Sequence, residues 1–249
     1  MMIYMKQRKK NLMKYLNKKF ITAVGLTCIL LVINLAKADI DNENNLIIKA
    51  ENGDKVAQYH LANLLLSKNV DEEYNDQIFY WYQQSAEQGY VEAEFALSVI
   101  YSERGDSEKS FIWLEKAAKQ NHAKAQYELG INYRFGFDVK SDSSKALYFL
   151  EKSAQQDYIP AQVELGNLYL TTFDLGSDLD SYKKGVYWYE KAAQKNNAFA
   201  QLNLGIIQMA QSNYQQALLW LNQACKNDLT DACQLASKIK TKKIRSKNR

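Results

Sequence analysis

The stretch Ala125-Gln126-Tyr127-Glu128-Leu129-Gly130, with Tyr133 three residues further on, followed by Lys145-Ala146-Leu147-Tyr148-Phe149-Leu150-Glu151-Lys152-Ser153-Ala154, decides the fold. Ala125, Leu129, Gly130 and Tyr133 fall on one helical stripe, and Phe149 shares a second stripe with the small pair Ser153-Ala154. The first half recurs as Ala57/Leu61/Ala62, Ala93/Leu97/Ser98, Ala161/Leu165/Gly166 and Ala200/Leu204/Gly205. The second recurs as Trp81 with Ser85-Ala86, Trp113 with Ala117-Ala118, Trp188 with Ala192-Ala193 and Trp220 with Ala224-Cys225. All 4 tryptophans of the chain occupy this one register position, which scattered surface residues would not do.

The spacing shows which connection is fixed. From each aromatic to the next alanine the separation is always 12 residues (81 to 93, 113 to 125, 149 to 161, 188 to 200, 220 to 232), whereas alanine to aromatic within a copy varies between 20 and 27. The eighth residue after each aromatic is Gly89, Asn121, Asp157, Asn196 or Asp228, the types that tolerate the left-handed conformation ending a helix. These patterns predict an all-α fold, an α/α solenoid of about five helical hairpins with terminal capping helices. Helix A leads to helix B in each, and all length variation lies in the A-to-B loop. Residues 53–240 form the solenoid, 39–52 an N-terminal capping segment, Thr230 to about Lys240 a C-terminal cap, and 241–249 a basic disordered tail.

With 1 proline and 10 glycines in 249 residues, the chain is too poor in breakers for an all-β fold. The net charge of +4 comes from two ends: 8 Lys or Arg and no acid in residues 1–38, 7 and none in 238–249, leaving the stretch between them at −11. An acidic body argues against a phosphate-tracking surface, so nucleic acid is not the expected partner.

The N-terminus has the three parts of a secretory signal: a basic stretch ending Lys18-Lys19, the apolar run Ile21 to Ala36, and the small-x-small site Ala36-Lys37-Ala38. Cleavage after Ala38 would start the mature chain at Asp39 and place it in the periplasm or outside the cell. An uncleaved anchor competes with this, although the run is shorter than the ~20 residues that span a bilayer. Membrane contact is otherwise expected only through the basic tail.

The two half-motifs, with Trp188-Tyr189-Glu190-Lys191-Ala192-Ala193 repeating the second, resemble the Sel1-like repeat, a relative of the tetratricopeptide repeat. The resemblance covers roughly Gly53 to Lys240; the first and fifth copies depart most, with Ala62 in place of the glycine and Gln208 in place of the tyrosine. Cys225 and Cys233 stand where other copies have Ala and mostly Gln, which resembles the cysteine-rich exported repeat proteins of Helicobacter. That resemblance implies a disulfide tying helix B of one copy to helix A of the next, as an oxidising compartment permits; two small buried thiols are the alternative.

Few residues could carry chemistry. His60 and His122 lie in different copies, neither with a partner at metal-ligand spacing, so no metal or cofactor is expected. His60 on helix A reads as a groove residue, and His122 beside a helix end as a solvated cap. Some Helicobacter relatives are described as β-lactamases, but the Ser-x-x-Lys matches Ser181/Lys184 and Ser237/Lys240 occur at chance frequency with no Lys-Thr-Gly after them, so an enzyme is not expected. The acidic loop runs Asp71-Glu72-Glu73 and Asp174 to Asp180 lack the spacing of a calcium loop.

In tetratricopeptide clamps the A helices line an inner groove, and by that analogy the partner-binding positions here are His60, Asn63, Glu128, Glu164, Asn167 and Asn203, with Arg134 nearby. The apolar members of the same rows are Ala96, Val99, Ile131 and Ile206. The resulting expectation is a monomeric envelope or secreted scaffold that binds a protein or peptide. Alternatives are a periplasmic immunity protein that neutralises an antibacterial effector and, more weakly, an envelope-motor accessory protein or a β-lactamase-like enzyme.

Overall fold

The computed structural model describes residues 41–68, 75–173 and 179–247. The proposed signal, the loop acids Asp71 to Glu73 and residues 174–178 lie outside them. No described helix is long and apolar enough to cross a membrane.

The described residues form twelve helices and no strand: α1 (41–51), α2 (Lys55–Lys68), α3 (Asn75–Glu87), α4 (Val91–Glu103), α5 (Ser107–Lys119), α6 (Ala123–Phe135), α7 (Ser143–Gln155), α8 (Ile159–Phe173), α9 (Leu179–Gln194), α10 (Ala198–Ala210), α11 (Tyr214–Lys226) and α12 (Thr230–Lys247). They make an α/α solenoid whose A helices are α2, α4, α6, α8, α10 and α12, and whose B helices are the odd-numbered ones. The chain divides between Gln88 and Gly89 into two compact units, the first holding α1 to α3 and the second α4 to α12.

The fixed turn is built as its residues require. Gly89, Asn121, Asp157, Asn196 and Asp228 all have φ between +62° and +72°. The turns after α5, α7, α9 and α11 also return two N–H groups to the small pair that ends helix B: Asn121 to Ala118 and His122 to Ala117, Asp157 to Ala154 and Tyr158 to Ser153, Asn196 to Ala193 and Asn197 to Ala192, Asp228 to Cys225 and Leu229 to Ala224. This satisfies the last carbonyls of the helix in the left-handed capping manner. The next helix is then capped by its own leading residue where that residue has an acceptor, as when Asn197 Oδ1 accepts from Ala200 N. Pro160, in the first turn of α8, costs no hydrogen bond there.

The small residue after each A-helix leucine is a seat for the hairpin's own B helix. A Cβ at Gly166 would lie 2.5 Å from the Tyr189 ring, and one at Gly130 would lie 2.8 Å from Leu150 Cγ. The B-helix aromatics pack backwards along the stack: Trp188 joins the cluster of Leu150, Ala154, Ala161, Leu165 and Tyr169, and Trp220 joins that of Tyr189, Ala192, Ala200 and Leu204.

Both ends differ from the sequence reading. The N-terminal segment 39–52 was expected only to cap, but α1 takes the B register. Gly53 has φ +89°, its N–H and that of Asp54 bond to Ala50 O and Lys49 O, and Ala50 is buried, as at the turns after α5, α7 and α9. Asn45 replaces the aromatic, which hides this half-repeat from a motif search. At the other end α12 continues to Lys247, so the helix does not stop at Lys240, and 241–247 is not the disordered tail that was expected. Its Lys, Ile and Arg residues are adequate helix formers, and no Gly or Pro interrupts them.

Candidate functional site

A glutamine ladder holds the turns. From α2 to α10 the residue after each A-helix alanine is buried, and Gln58, Gln126, Gln162 and Gln201 each donate Nε2 to the backbone oxygen eight residues earlier, on Ala50, Ala118, Ala154 and Ala193, at 3.1 to 3.2 Å. A second amide, seven residues after each aromatic, then donates back along the stack: Gln88 to Gln58 Oε1 (2.8 Å), Gln156 to Gln126 Oε1 (2.7 Å) and Asn227 to Gln201 Oε1 (2.9 Å).

Three departures mark this ladder. Lys195 replaces the second amide, its ammonium turns to Asp157 (2.8 Å), and Gln162 Oε1 is left buried with no partner. Glu94 replaces the first glutamine; burial raises its carboxyl above the usual range against the opposing pull of Lys116 and of Gln120, which donates to it at 2.7 Å. Cys225 and Cys233 occupy the alanine and glutamine places, and a disulfide with Cα atoms 4.8 Å apart stands where the other turns have a hydrogen bond.

The groove positions fare unequally. Arg134 of α6 pairs with Glu164 Oε1 of α8, and Asn167 Nδ2 donates to Glu164 Oε2 (3.1 Å). Tyr189 OH of α9 donates to Asn167 Oδ1 (2.6 Å), and Asn203 of α10 bonds the same phenol. Burial, reinforced by the Glu164 charge, pushes that phenol up to about 12. Four of the expected partner-binding residues are therefore linked through Tyr189 into one network across four helices, as buried polar groups demand. In the first unit Asn63 likewise accepts from Tyr82 OH (2.8 Å), while His60 is exposed beside Tyr59.

The tyrosines that hold these asparagines were missed from sequence, although a signal exists. Where the residue after the B-helix aromatic is Tyr (Tyr82, Tyr189) the A helix has Asn (Asn63, Asn167); where it is Leu (Leu114, Leu150, Leu221) the A helix has Val99, Ile131 or Ile206. Each hairpin carries either a hydrogen-bonded pair or an apolar one.

Glu128 stands apart. No hydrogen bond or ion pair reaches its half-buried carboxylate among the described residues, and burial raises it against the pull of Lys124. Its charge is felt by the phenols of Tyr127 and Tyr158, whose rings lie 5.4 Å apart, and burial raises both of those too. The arrangement is a half-buried carboxylate near two phenols, suited to a cationic group.

His122 is a cap, but not a solvated one. Its side chain is 13% exposed and stacks on Phe95 (4.7 Å). Nδ1 accepts from Ala125 N, which leaves Nε2 to donate to Glu92 at 3.0 Å. No three His, Cys, Asp or Glu side chains gather as a metal site among the described residues.

A family model described as Sel1 repeat matches residues 79–90, 91–122, 123–158, 159–197 and 198–229. Among solved structures, a protective antigen present in uropathogenic Escherichia coli strains, displaying an SLR fold, aligns with TM-score 0.67 and 32% identity over 79% of this chain and 43% of its own. A Sel1 repeat protein from Oxalobacter formigenes aligns with TM-score 0.65 and 26% identity over 78% of this chain and 58% of its own. The chain thus spans less than two thirds of the length of either. No curated protein matches it.

Proposed function

Because the chain belongs to the Sel1 repeat family, we propose that it is a scaffold that binds a protein or peptide in the bacterial envelope or outside the cell, through the A-helix face of its second unit. The observation that carries this reading is Glu128. A half-buried carboxylate near the phenols of Tyr127 and Tyr158, with no cation paired to it among the described residues, is suited to a cation, so the partner presents a Lys, an Arg or an N-terminal amine there. Apolar Val99 on the adjacent A helix α4 and Ile206 on α10, two A helices further along, are both exposed and extend the contact. Arg134, Glu164, Asn167 and Asn203 keep the A helices in register instead of meeting the partner directly. The export half of the reading is supported by the basic, apolar and small-x-small pattern of residues 1–38.

The test is affinity capture from the protein's own envelope fraction, followed by titration of the identified partner against Glu128→Gln. A charge-assisted hydrogen bond contributes about 1.5 to 3 kcal/mol, so binding should weaken about tenfold to a hundredfold while the helical circular dichroism stays unchanged. Unchanged affinity would remove the groove assignment. Substituting Glu164 or Asn167 is a poor probe, since either change also breaks the network.

A further inference from the structure

The residue immediately before each B-helix aromatic has no part in the core, yet it is always apolar: Tyr80, Ile112, Tyr148, Tyr187 and Leu219. In the second unit Ile112, Tyr148, Tyr187 and Leu219 are 46 to 58% exposed and share one register on α5, α7, α9 and α11. A single exposed apolar side chain is ordinary, whereas a row of four marks a contact surface.

Four residues further along the same helical face stand Lys116, Lys152 and Lys191, with Gln223 in the last copy. All three lysines are exposed, and none is ion-paired among the described residues. Their ammonium groups lie over aromatic rings: Lys116 Nζ is 3.8 Å from the Trp113 ring centre, Lys152 Nζ 5.8 Å from that of Tyr148, and Lys191 Nζ 5.6 Å from that of Tyr187. The neighbouring acids are partly engaged, Glu115 by Lys119 (2.9 Å) and Glu151 by the Tyr169 hydroxyl (2.5 Å), while Glu190 stays exposed. A cationic row here runs against the −11 carried between the basic ends of the chain.

The pairing of lysine with exposed Tyr, Ile and Leu decides the kind of partner. Lysine is depleted in protein–protein interfaces, whereas amphipathic rings and snorkelling lysines are the composition of surfaces lying at a bilayer boundary. We propose that the outer face of α5, α7, α9 and α11 docks on anionic lipid headgroups, with Ile112, Tyr148, Tyr187 and Leu219 entering the interfacial layer and Lys116, Lys152 and Lys191 meeting the phosphates.

The test uses the full chain carrying Cys28→Ser, with an environment-sensitive fluorophore on Tyr148→Cys or, as a control on the A-helix face, on Ile206→Cys. Because the apolar run 21–36 can itself enter lipid, the readout is the environment of the label and not bulk binding. Vesicles of phosphatidylglycerol should shift the emission of the 148 label to the blue and shield it from iodide. Phosphatidylcholine vesicles should not, and the 206 label should stay unshifted in both. Changing Lys116, Lys152 and Lys191 to Glu should abolish the shift. The proposal is overturned if phosphatidylglycerol gives no shift, if the two lipids or the two labels respond equally, or if the triple variant retains the shift. Burial of the 148 label without lipid as protein concentration rises would assign the face to a second copy instead, and would equally overturn it.

Discussion

Lys195 shows how much one side chain decides in a repeat. At the same register Gln88, Gln156 and Asn227 each supply an N–H to a buried glutamine oxygen, and Lys195 instead reaches out to Asp157, leaving Gln162 Oε1 buried without a partner. An unsatisfied buried acceptor costs roughly 1 to 3 kcal/mol, and an exposed ion pair returns less than about 1. Lys195→Gln should therefore stabilise the protein by about 1 kcal/mol, raising Tm by about 2 to 4 °C. Urea and thermal unfolding of the two proteins side by side measure this, and an equal or lower stability would show that the ladder does not need its fourth rung. Glu94 has the opposite arrangement: Gln120 fills its acceptor, but the group itself is a buried acid where the other turns have a neutral amide.

At the scale of the helix pair, the Asn–Tyr and Val- or Ile–Leu hairpins are two solutions to the same contact. Asn167→Ile alone removes the acceptor of the Tyr189 hydroxyl proton, leaving only the Asn203 bond to that oxygen, and Tyr189→Leu alone strands the Asn167 oxygen and opens space above Gly166. The double substitution recreates the Ile131/Leu150 and Ile206/Leu221 pairing already present in neighbouring hairpins. Each single change should cost about 2 kcal/mol and the double less than their sum, with a coupling of about 1 kcal/mol in a double-mutant cycle; strict additivity would refute the pairing. The hairpins themselves were legible because their determinants are local: a spacing of 12, a left-handed residue and a small pair sit within one turn of chain. The site was less legible. Asn63 and Asn167 look like free polar groups until the tyrosines 19 and 22 residues away are placed against them, and Arg134 meets Glu164 across 30 residues. His122 read as solvated because nothing local announces Phe95 or Glu92 as its neighbours. The B register of α1 was hidden because Asn45 lacks the aromatic that identifies every other copy.

Across the longer unit, stability is passed from neighbour to neighbour, so among the described residues the last helix is the weakest place. Among the described residues no B helix follows the A helix α12, and along the face where one would pack it exposes Thr230, Gln234, Ser237 and Thr241. It contacts the stack through α11, with Ala232, Ala236 and Ile239 buried against Ala217, Leu221 and Ala224. The ladder bond that holds the other turns is replaced at this turn by the covalent link Cys225–Cys233, eight residues apart. Closing so short a loop contributes about 2 to 3 kcal/mol by chain entropy, less than a long-range bridge would, but it acts on the one turn whose outer helix has a single neighbour. The effect of removing it should therefore be local. In Cys225→Ser/Cys233→Ser, amide exchange should accelerate in α12 and the last turn of α11, while α6, α7 and α8 keep their protection, because those hairpins are held by the Gln126 and Gln162 rungs and the Arg134–Glu164 pair. Exchange measured by mass spectrometry resolves these segments. Uniform acceleration along the unit would mean that the bridge supports the whole stack, and no change in α12 would mean that the serines restore the glutamine-type hydrogen bond the cysteines displaced.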